Sequence, residues 1–202
     1  MPLPDRIYLT GFMAAGKSTI GRILANTIGY DFVDLDHRIV DQTGESVVSL
    51  FKTRGEQAFR QLETDTLHSL SDSKRLVVSL GGGTVCFNNN LEWILENGFL
   101  VYLKVRPRQL LYRIRAKRDR PIFLDEQGNL LPDHEIKRKI DRMLADRCPF
   151  YEKAHLTLET DQQPVGQVVD WLKEAIEQWS PGMPPVTLTP FSRRKFIRFR
   201  RS

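Results

Sequence analysis

Cysteine, histidine and long apolar runs are all scarce in this chain, and each scarcity narrows what it can do. Its 202 residues include two cysteines, Cys86 and Cys148, and four histidines. The cysteines stand far apart and in no metal-ligand spacing, which argues against a disulfide framework or a zinc site and leaves ordinary thiols. No apolar run reaches the roughly 20 residues of a membrane-spanning helix. The first six residues form no signal-peptide core ahead of the first apolar stretch. The expectation is a soluble, cytoplasmic protein.

Acid is also missing from one region, and that locates the charge. The formal net charge of +5 invites a nucleic-acid reading only until its source is found. Residues 180–202 carry Arg193, Arg194, Lys195, Arg198, Arg200 and Arg201 and no acid. Of 30 basic residues, 24 therefore remain in the first 179, against 25 acidic ones, a balance of −1. The same tail holds four prolines within residues 180–190 and three phenylalanines within 191–201, and reads as a disordered linker with a basic, aromatic-studded end. Weak polyanion binding is the most expected of it, with no dedicated nucleic-acid or membrane partner. With 41% hydrophobic residues, residues 1–179 are expected to form one domain around one sizeable core.

What the chain does have begins at residue 7. Ile7-Tyr8-Leu9-Thr10 is a short apolar run, and Gly11-Phe12-Met13-Ala14-Ala15-Gly16-Lys17-Ser18-Thr19 satisfies the phosphate-loop pattern G-x-x-x-x-G-K-[ST] at every required position. Gly11 and Gly16 let the backbone curl so that successive N–H groups point at phosphate oxygens, a nest completed by the positive end of the following helix. Lys17 can reach the β- and γ-phosphates, and the Ser18 hydroxyl can bind Mg²⁺. Ile20, Ile23, Leu24 and Ile28 recur at helical spacing, so the loop has the strand before it and the helix after it that the pattern requires.

Further along, residues 30–34 read as a second strand that delivers Asp34-Leu35-Asp36 at its C-terminal end, where ligands bind in open α/β sheets. Two carboxylates so spaced on extended chain point in different directions and can serve a metal and a hydroxyl separately. Residues 37–43 and 46–53 read as short helices parted at Gly44, and a third helix opens at Gly55 with Phe59, Leu62, Leu67 and Leu70 as its apolar stripe. Along it Glu56, Arg60 and Glu63 form an i, i+4 and i+3 charge series. Residues 75–80 read as a strand buried on both faces that runs into Gly81-Gly82-Gly83, where bare backbone N–H groups allow close approach of a ligand. A fourth strand at 99–105, a helix at 107–117, an amphipathic helix from 133 that ends at Cys148-Pro149, a fifth strand at 155–159 and a closing helix at 165–179 complete the alternation. Arg113, Arg115, Lys117, Arg118 and Arg120 crowd ahead of Pro121, the composition of an arginine-bearing lid over phosphates. The expected fold is a three-layer α/β P-loop kinase fold on a parallel sheet of about five strands. No N-K-x-D follows a later strand, which argues against a GTPase, and the third strand ends in glycines where many NTPases place a metal-binding aspartate, so Asp34 would have to cover that role.

In order, the phosphate loop, Asp34-Leu35-Asp36, Gly55-Glu56-x-x-Phe59-Arg60-x-x-Glu63, Gly81-Gly82-Gly83, Arg120-Pro121 and Arg147-x-Pro149-x-Tyr151 closely resemble the shikimate kinase family over about residues 5–179. The resemblance implies a nucleoside monophosphate kinase-like fold, with a substrate-binding segment at about 34–63 and a lid at about 115–130. It implies ATP-dependent phosphorylation of the 3-hydroxyl of shikimate, on the way to chorismate and the aromatic amino acids, by a monomer using one Mg²⁺. By position, Gly11, Ala14, Ala15, Gly16, Lys17, Ser18 and Thr19 would bind ATP with Arg113, Arg120 and Gln163. Lys17, Asp36 and Arg120 would be catalytic. Ser18 and Asp34, the latter through water, would hold the metal, while Asp36, Arg60, Gly82 and Arg147 would bind shikimate and Glu63 would fix the two arginines. Where the family more often has glycine this loop has Ala14, and Ile122 replaces the usual leucine. Two alternatives share parts of this pattern: a P-loop kinase of another small acceptor such as gluconate or a nucleoside monophosphate, and a non-catalytic nucleotide- or nucleic-acid-binding module.

Overall fold

Alternation on the central strands decides the layering. The structure is a computed structural model and describes residues 3–117, 120–161 and 163–189. In β1 (Arg6–Thr10), Ile7 and Leu9 join one apolar cluster and Tyr8 the other, as the two-residue period of a strand requires. In β4 (Phe99–Lys104) the same split recurs, Phe99, Val101 and Leu103 against Leu100 and Tyr102. Both faces of the sheet are thus apolar, and helices cover both.

The remaining elements are α1 (Lys17–Ile28), β2 (Asp31–Asp34), α2 (Leu35–Thr43), α3 (Val47–His68), β3 (Leu76–Ser79), α4 (Asn90–Asn97), α5 (Pro107–Lys117), α6 (Asp133–Tyr151), β5 (Leu156–Glu159), α7 (Val165–Gln178) and β6 (Val186–Leu188). All strand pairs are parallel, in the order β2-β3-β1-β4-β5-β6. Helices α1, α5, α6 and α7 pack on one face through residues such as Leu24, Leu110, Ile140 and Leu172, and α2, α3 and α4 on the other through Ile39, Phe59 and Ile94. Each such buried side chain contributes about 1.5–3 kcal/mol. Because β1 lies between β3 and β4, the loop that follows it opens at the middle of the sheet's C-terminal edge, where strand order reverses and open α/β sheets bind ligands.

Three sequence expectations change here. The sheet has six strands, not about five, and the sixth lies inside the segment that composition marks as a disordered tail. Val186, Thr187 and Leu188 pair with Leu156, Thr157 and Leu158, and Val186 and Leu188 pack on the core, because β5 would otherwise present an open edge of unpaired N–H and C=O groups. Residues 190–202, with the cationic end, lie outside the described residues. Second, α6 does not stop at Cys148 but continues through Pro149 to Tyr151, held there by burial of Tyr151. Third, Ile23 is 40% exposed rather than part of the α1 core stripe; Gly21 and Ala25 turn inward instead, and a Cβ on Gly21 would stand 2.7 Å from the Phe32 ring. The range given for α3 includes a break at Gly55, at φ 80° and ψ 170°, so two helices meet there, as the periodicity predicts.

No helix among the described residues is long and apolar enough to cross a membrane. Both cysteines are unpaired.

Candidate active site

The loop after β1 is tightly specified. Gly11 sits at φ 141°, and a Cβ there would lie 2.7 Å from the carbonyl oxygen of Leu103, so only glycine fits. Ala14 takes φ 64° although it carries a Cβ, the left-handed conformation that glycine adopts without strain. Gly16, at φ 102°, caps α1. Lys17 is 9% exposed, and its Nζ donates to the Gly11 oxygen at 2.8 Å and the Phe12 oxygen at 3.2 Å. Burial lowers its pKa to about 8, against the pull of Asp36 and Asp34 and with the push of Arg120 and Arg147.

Strand ends supply the acids. Asp34 closes β2 and caps α2, its Oδ1 accepting from the His37 N–H at 3.4 Å. Its Oδ2 accepts from Ser18 Oγ at 2.5 Å, and Ser79 Oγ, at the end of β3, lies 3.3 Å from the same hydroxyl. Asp36 stands in the first turn of α2. Burial raises its pKa, opposed first by Lys17.

Three glycines join this edge to a second cluster. A Cβ on Gly81 would fall 2.5 Å from Glu63 Oε1 and 3.0 Å from Asp36 Oδ1; one on Gly83 would fall 2.9 Å from Arg60 Nη2. Glu63 is 1% exposed. Its Oε2 accepts from Arg60 Nη1 at 2.9 Å and its Oε1 from Thr84 Oγ1 at 2.6 Å. Burial raises its pKa against the pull of Arg60 and Thr84. Arg60 is stacked 4.3 Å from the Phe87 ring centre. On the other side, Arg147 Nη1 donates to the Gly82 oxygen at 3.1 Å, and Tyr151 Oη donates to the same oxygen. The expectation that Glu63 fixes both arginines is therefore corrected: it holds Arg60, and Arg147 is tied to the glycine turn.

The cleft between these parts has a volume of about 450 Å³. Met13 through Thr19, Asp34, Asp36, Ser79, Gly82, Arg113, Arg120 and Gln163 line it; Arg60, Glu63 and Arg147 adjoin it behind the glycine turn. Arg113 Nη1 donates to the carbonyls of Ala14 and Ala15 at 3.2 and 3.1 Å, which braces the loop from α5. Gln163 Nε2 donates to the Asp161 oxygen at 3.2 Å. In the expected lid, Arg118 lies outside the described residues, α5 continues to Lys117, and Phe123 is fully buried in a short 3-10 turn while Ile122 is 44% exposed.

Sequence reasoning assigned no role to Ser79, Thr84 or Phe87. Ser79 was findable as the polar residue ending an apolar run. Thr84 and Phe87 were not, since only the fold brings them to Glu63 and Arg60. Cys86, beside that cluster, has its thiol pushed up to about 11 by burial and stays protonated at neutral pH.

Chemically, the arrangement offers a phosphate nest with a buried lysine, an oxygen-rich corner of two hydroxyls and a carboxylate, an acid at the junction, and two arginines flanking a glycine turn. Comparison with known proteins agrees with that inventory. A sequence model of the family described as Shikimate kinase matches residues 13–177. The shikimate kinase of Chlorobium limicola is 47% identical over 170 residues, covering 84% of this chain and 85% of that one. Among solved structures, shikimate kinase from Bacteroides thetaiotaomicron superposes with a TM-score of 0.79 at 37% identity, over 86% of this chain and 99% of that one. The Acinetobacter baumannii enzyme, solved in complex with shikimate, gives 0.77 at 35% identity, over 87% and 93%. With the match running from Met13 inside the phosphate loop through the glycine turn and the arginine helices, this chain belongs to the shikimate kinase family.

Proposed function

We propose that this enzyme transfers the γ-phosphoryl group of ATP to the 3-hydroxyl of shikimate. One observation carries the assignment of parts: the glycine turn abuts Asp36, Glu63, Arg60 and Arg147 at once, and a Cβ on Gly82 would stand 3.5 Å from the Met13 N–H nitrogen of the phosphate loop. An acceptor carboxylate held by arginines at that turn would set its ring against the phosphate nest.

In this reading Arg60 and Arg147 bind the carboxylate, which arginine forks match in shape and charge, together with the Gly82 backbone. Asp36 receives the hydroxyl proton or orients the hydroxyl for in-line attack. Its raised pKa makes it a better base than an exposed aspartate. Lys17, the N–H groups of residues 11–19 and Arg120 neutralise charge that develops on the transferred group, which is most of what phosphoryl transfer asks of a protein. Arg113 and Gln163 border the place for the adenine. Among the described residues no group of three or more acidic, histidine or cysteine side chains is set to hold a metal. The two hydroxyls and one carboxylate at Ser18, Ser79 and Asp34 do suit Mg²⁺, which keeps several waters and takes phosphate ligands. Bound there, the ion would supply positive charge against the phosphate oxygens. Monomeric state and cytoplasmic location complete the proposal.

The test is ADP release and product mass with ATP, Mg²⁺ and a panel of shikimate, gluconate and nucleoside monophosphates. Turnover dependent on shikimate alone is expected. Preference for another acceptor overturns the proposal, and nucleotide binding without acceptor-dependent turnover would make the chain a binding module.

A further inference from the structure

The guanidinium of Arg60 is held along its edges by two carboxylates of different standing. Glu63 is buried and locked by Thr84. Glu56, whose side chain is 58% exposed, puts a single oxygen, Oε1, against Arg60 Nε at 3.3 Å and Nη2 at 3.1 Å. A charge-assisted bond of full strength is about 2.7–2.9 Å long, and a matched carboxylate gives one oxygen to each nitrogen. Glu56 therefore makes a long, shared contact on the Nε–Nη2 edge of Arg60, where a carboxylate giving one oxygen to each nitrogen would bind better. Its seat is also easily vacated. More than half of its side chain faces solvent, and it directly follows Gly55, where the α3 backbone breaks at φ 80°.

We propose that Glu56 is a positioning residue that occupies the substrate-carboxylate edge of Arg60 and is displaced by that carboxylate. The inference rests on the reading that the acceptor carries a carboxylate bound at Arg60. Glu56 keeps the fork aimed and charge-compensated between turnovers, and the substrate must compete with it. Only a ligand whose carboxylate delivers both oxygens wins the exchange, so Glu56 also discriminates against neutral analogues.

Steady-state kinetics of the parent, Glu56→Gln and Glu56→Asp decide it. Exposed helical ion pairs of this spacing are weak, so both variants should lower KM for shikimate by about two- to five-fold, with KM for ATP and melting temperature unchanged. The aspartate keeps the charge but draws it back from Arg60. A fall in KM for Glu56→Gln but not for Glu56→Asp would mean long-range repulsion rather than occupancy, and a rise or no change in both would mean plain support of Arg60; each overturns the proposal. Titration of the three proteins with benzoate, followed by the ¹⁵N shift of Arg60 Nε, should show tighter binding to both variants, and equal affinities overturn the proposal. Absence of shikimate turnover in the parent chain would instead overturn the acceptor assignment, with the benzoate result still deciding Glu56.

Discussion

Asp34 and Ser79 are register partners across β2 and β3, and both side chains converge on Ser18 Oγ, at 2.5 and 3.3 Å. The third strand thus ends in a hydroxyl where many phosphate-loop enzymes carry the metal-side carboxylate, and the carboxylate stands one strand over. Asp34→Asn is expected to raise the Mg²⁺ concentration for half-maximal rate by about ten-fold or more, and Ser79→Ala by less, in line with the roughly 10–100-fold effects of groups that orient metal ligands. Asp36→Asn should lower kcat by about 10²–10⁴-fold with little change in KM for ATP. A Mg²⁺ titration of the three variants checks this, and exchanged phenotypes would show the two aspartates assigned backwards.

Lys17 has opposite consequences for rate and stability. With its pKa lowered to about 8 by burial, kcat/KM for ATP should fall above about pH 8 as the ammonium loses its proton. Stability runs the other way. Between about 8 and the ordinary lysine value of 10.5 the unfolded chain binds a proton that the folded chain has shed, so folding gains as pH rises through that window. The cost of burying the charge is fully present below it. Lys17→Met should abolish turnover and, relative to the parent, be most stable near pH 7 and lose that advantage by pH 10.5, as read by chemical denaturation. A pH-independent difference between the two proteins would refute the buried charge.

Ala14 holds a left-handed conformation that costs a non-glycine residue about 1–2 kcal/mol. Glycine removes that strain and adds back up to about 1 kcal/mol of unfolded-chain entropy. Ala14→Gly is therefore expected to raise the melting temperature by about 1–3 °C without weakening ATP binding. A lower melting temperature would show that the Ala14 side chain earns its place by packing.

At the other end of the chain, two truncations should separate β6 from the residues that follow it. Ending the chain after Trp179 removes the Val186–Leu188 pairing and uncovers His155, Leu156 and Trp179, all of which border Val186. A loss of about 1–3 kcal/mol, or about 3–8 °C in melting temperature, is expected. Ending it after Thr189 should leave melting temperature, kcat and KM unchanged while abolishing salt-sensitive retention on heparin, since all six tail cations lie beyond that point. Equal melting temperatures for the two truncations would mean that β6 contributes nothing to the fold.

His155 adds a pH limit on the acid side. Its Nδ1 accepts the Leu100 N–H at 3.0 Å between the rings of Phe99 and Trp179, and burial lowers its pKa. The unfolded chain then binds the proton first as pH falls, so stability should decline from the ordinary histidine value of 6.5 downward. His155→Gln should flatten that decline in a melting-temperature series from pH 7.5 to 5, and an unaltered slope would assign it to other groups.

Local chemistry was enough to read much of this protein. The phosphate loop, the strand-helix alternation, the breaks at Gly44 and Gly55 and the acids after β2 are each written in a few adjacent residues, because backbone freedom, period and spacing are properties of short segments. Residues 186–188 were not legible as a strand, since three residues between prolines carry no periodic signal until β5 offers an edge. Nor was the passage of α6 through Pro149, which depends on burying Tyr151 and bonding it to Gly82. The same limit holds at the site. Sequence order names Glu63, Arg60 and Arg147, but which arginine the glutamate holds, that Thr84 and Phe87 complete the pair, and that Ser79 faces Asp34 are settled only when distant segments meet at Gly81, Gly82 and Gly83; a Cβ on Gly81 would fall 2.5 Å from Glu63 Oε1 and one on Gly83 2.9 Å from Arg60 Nη2.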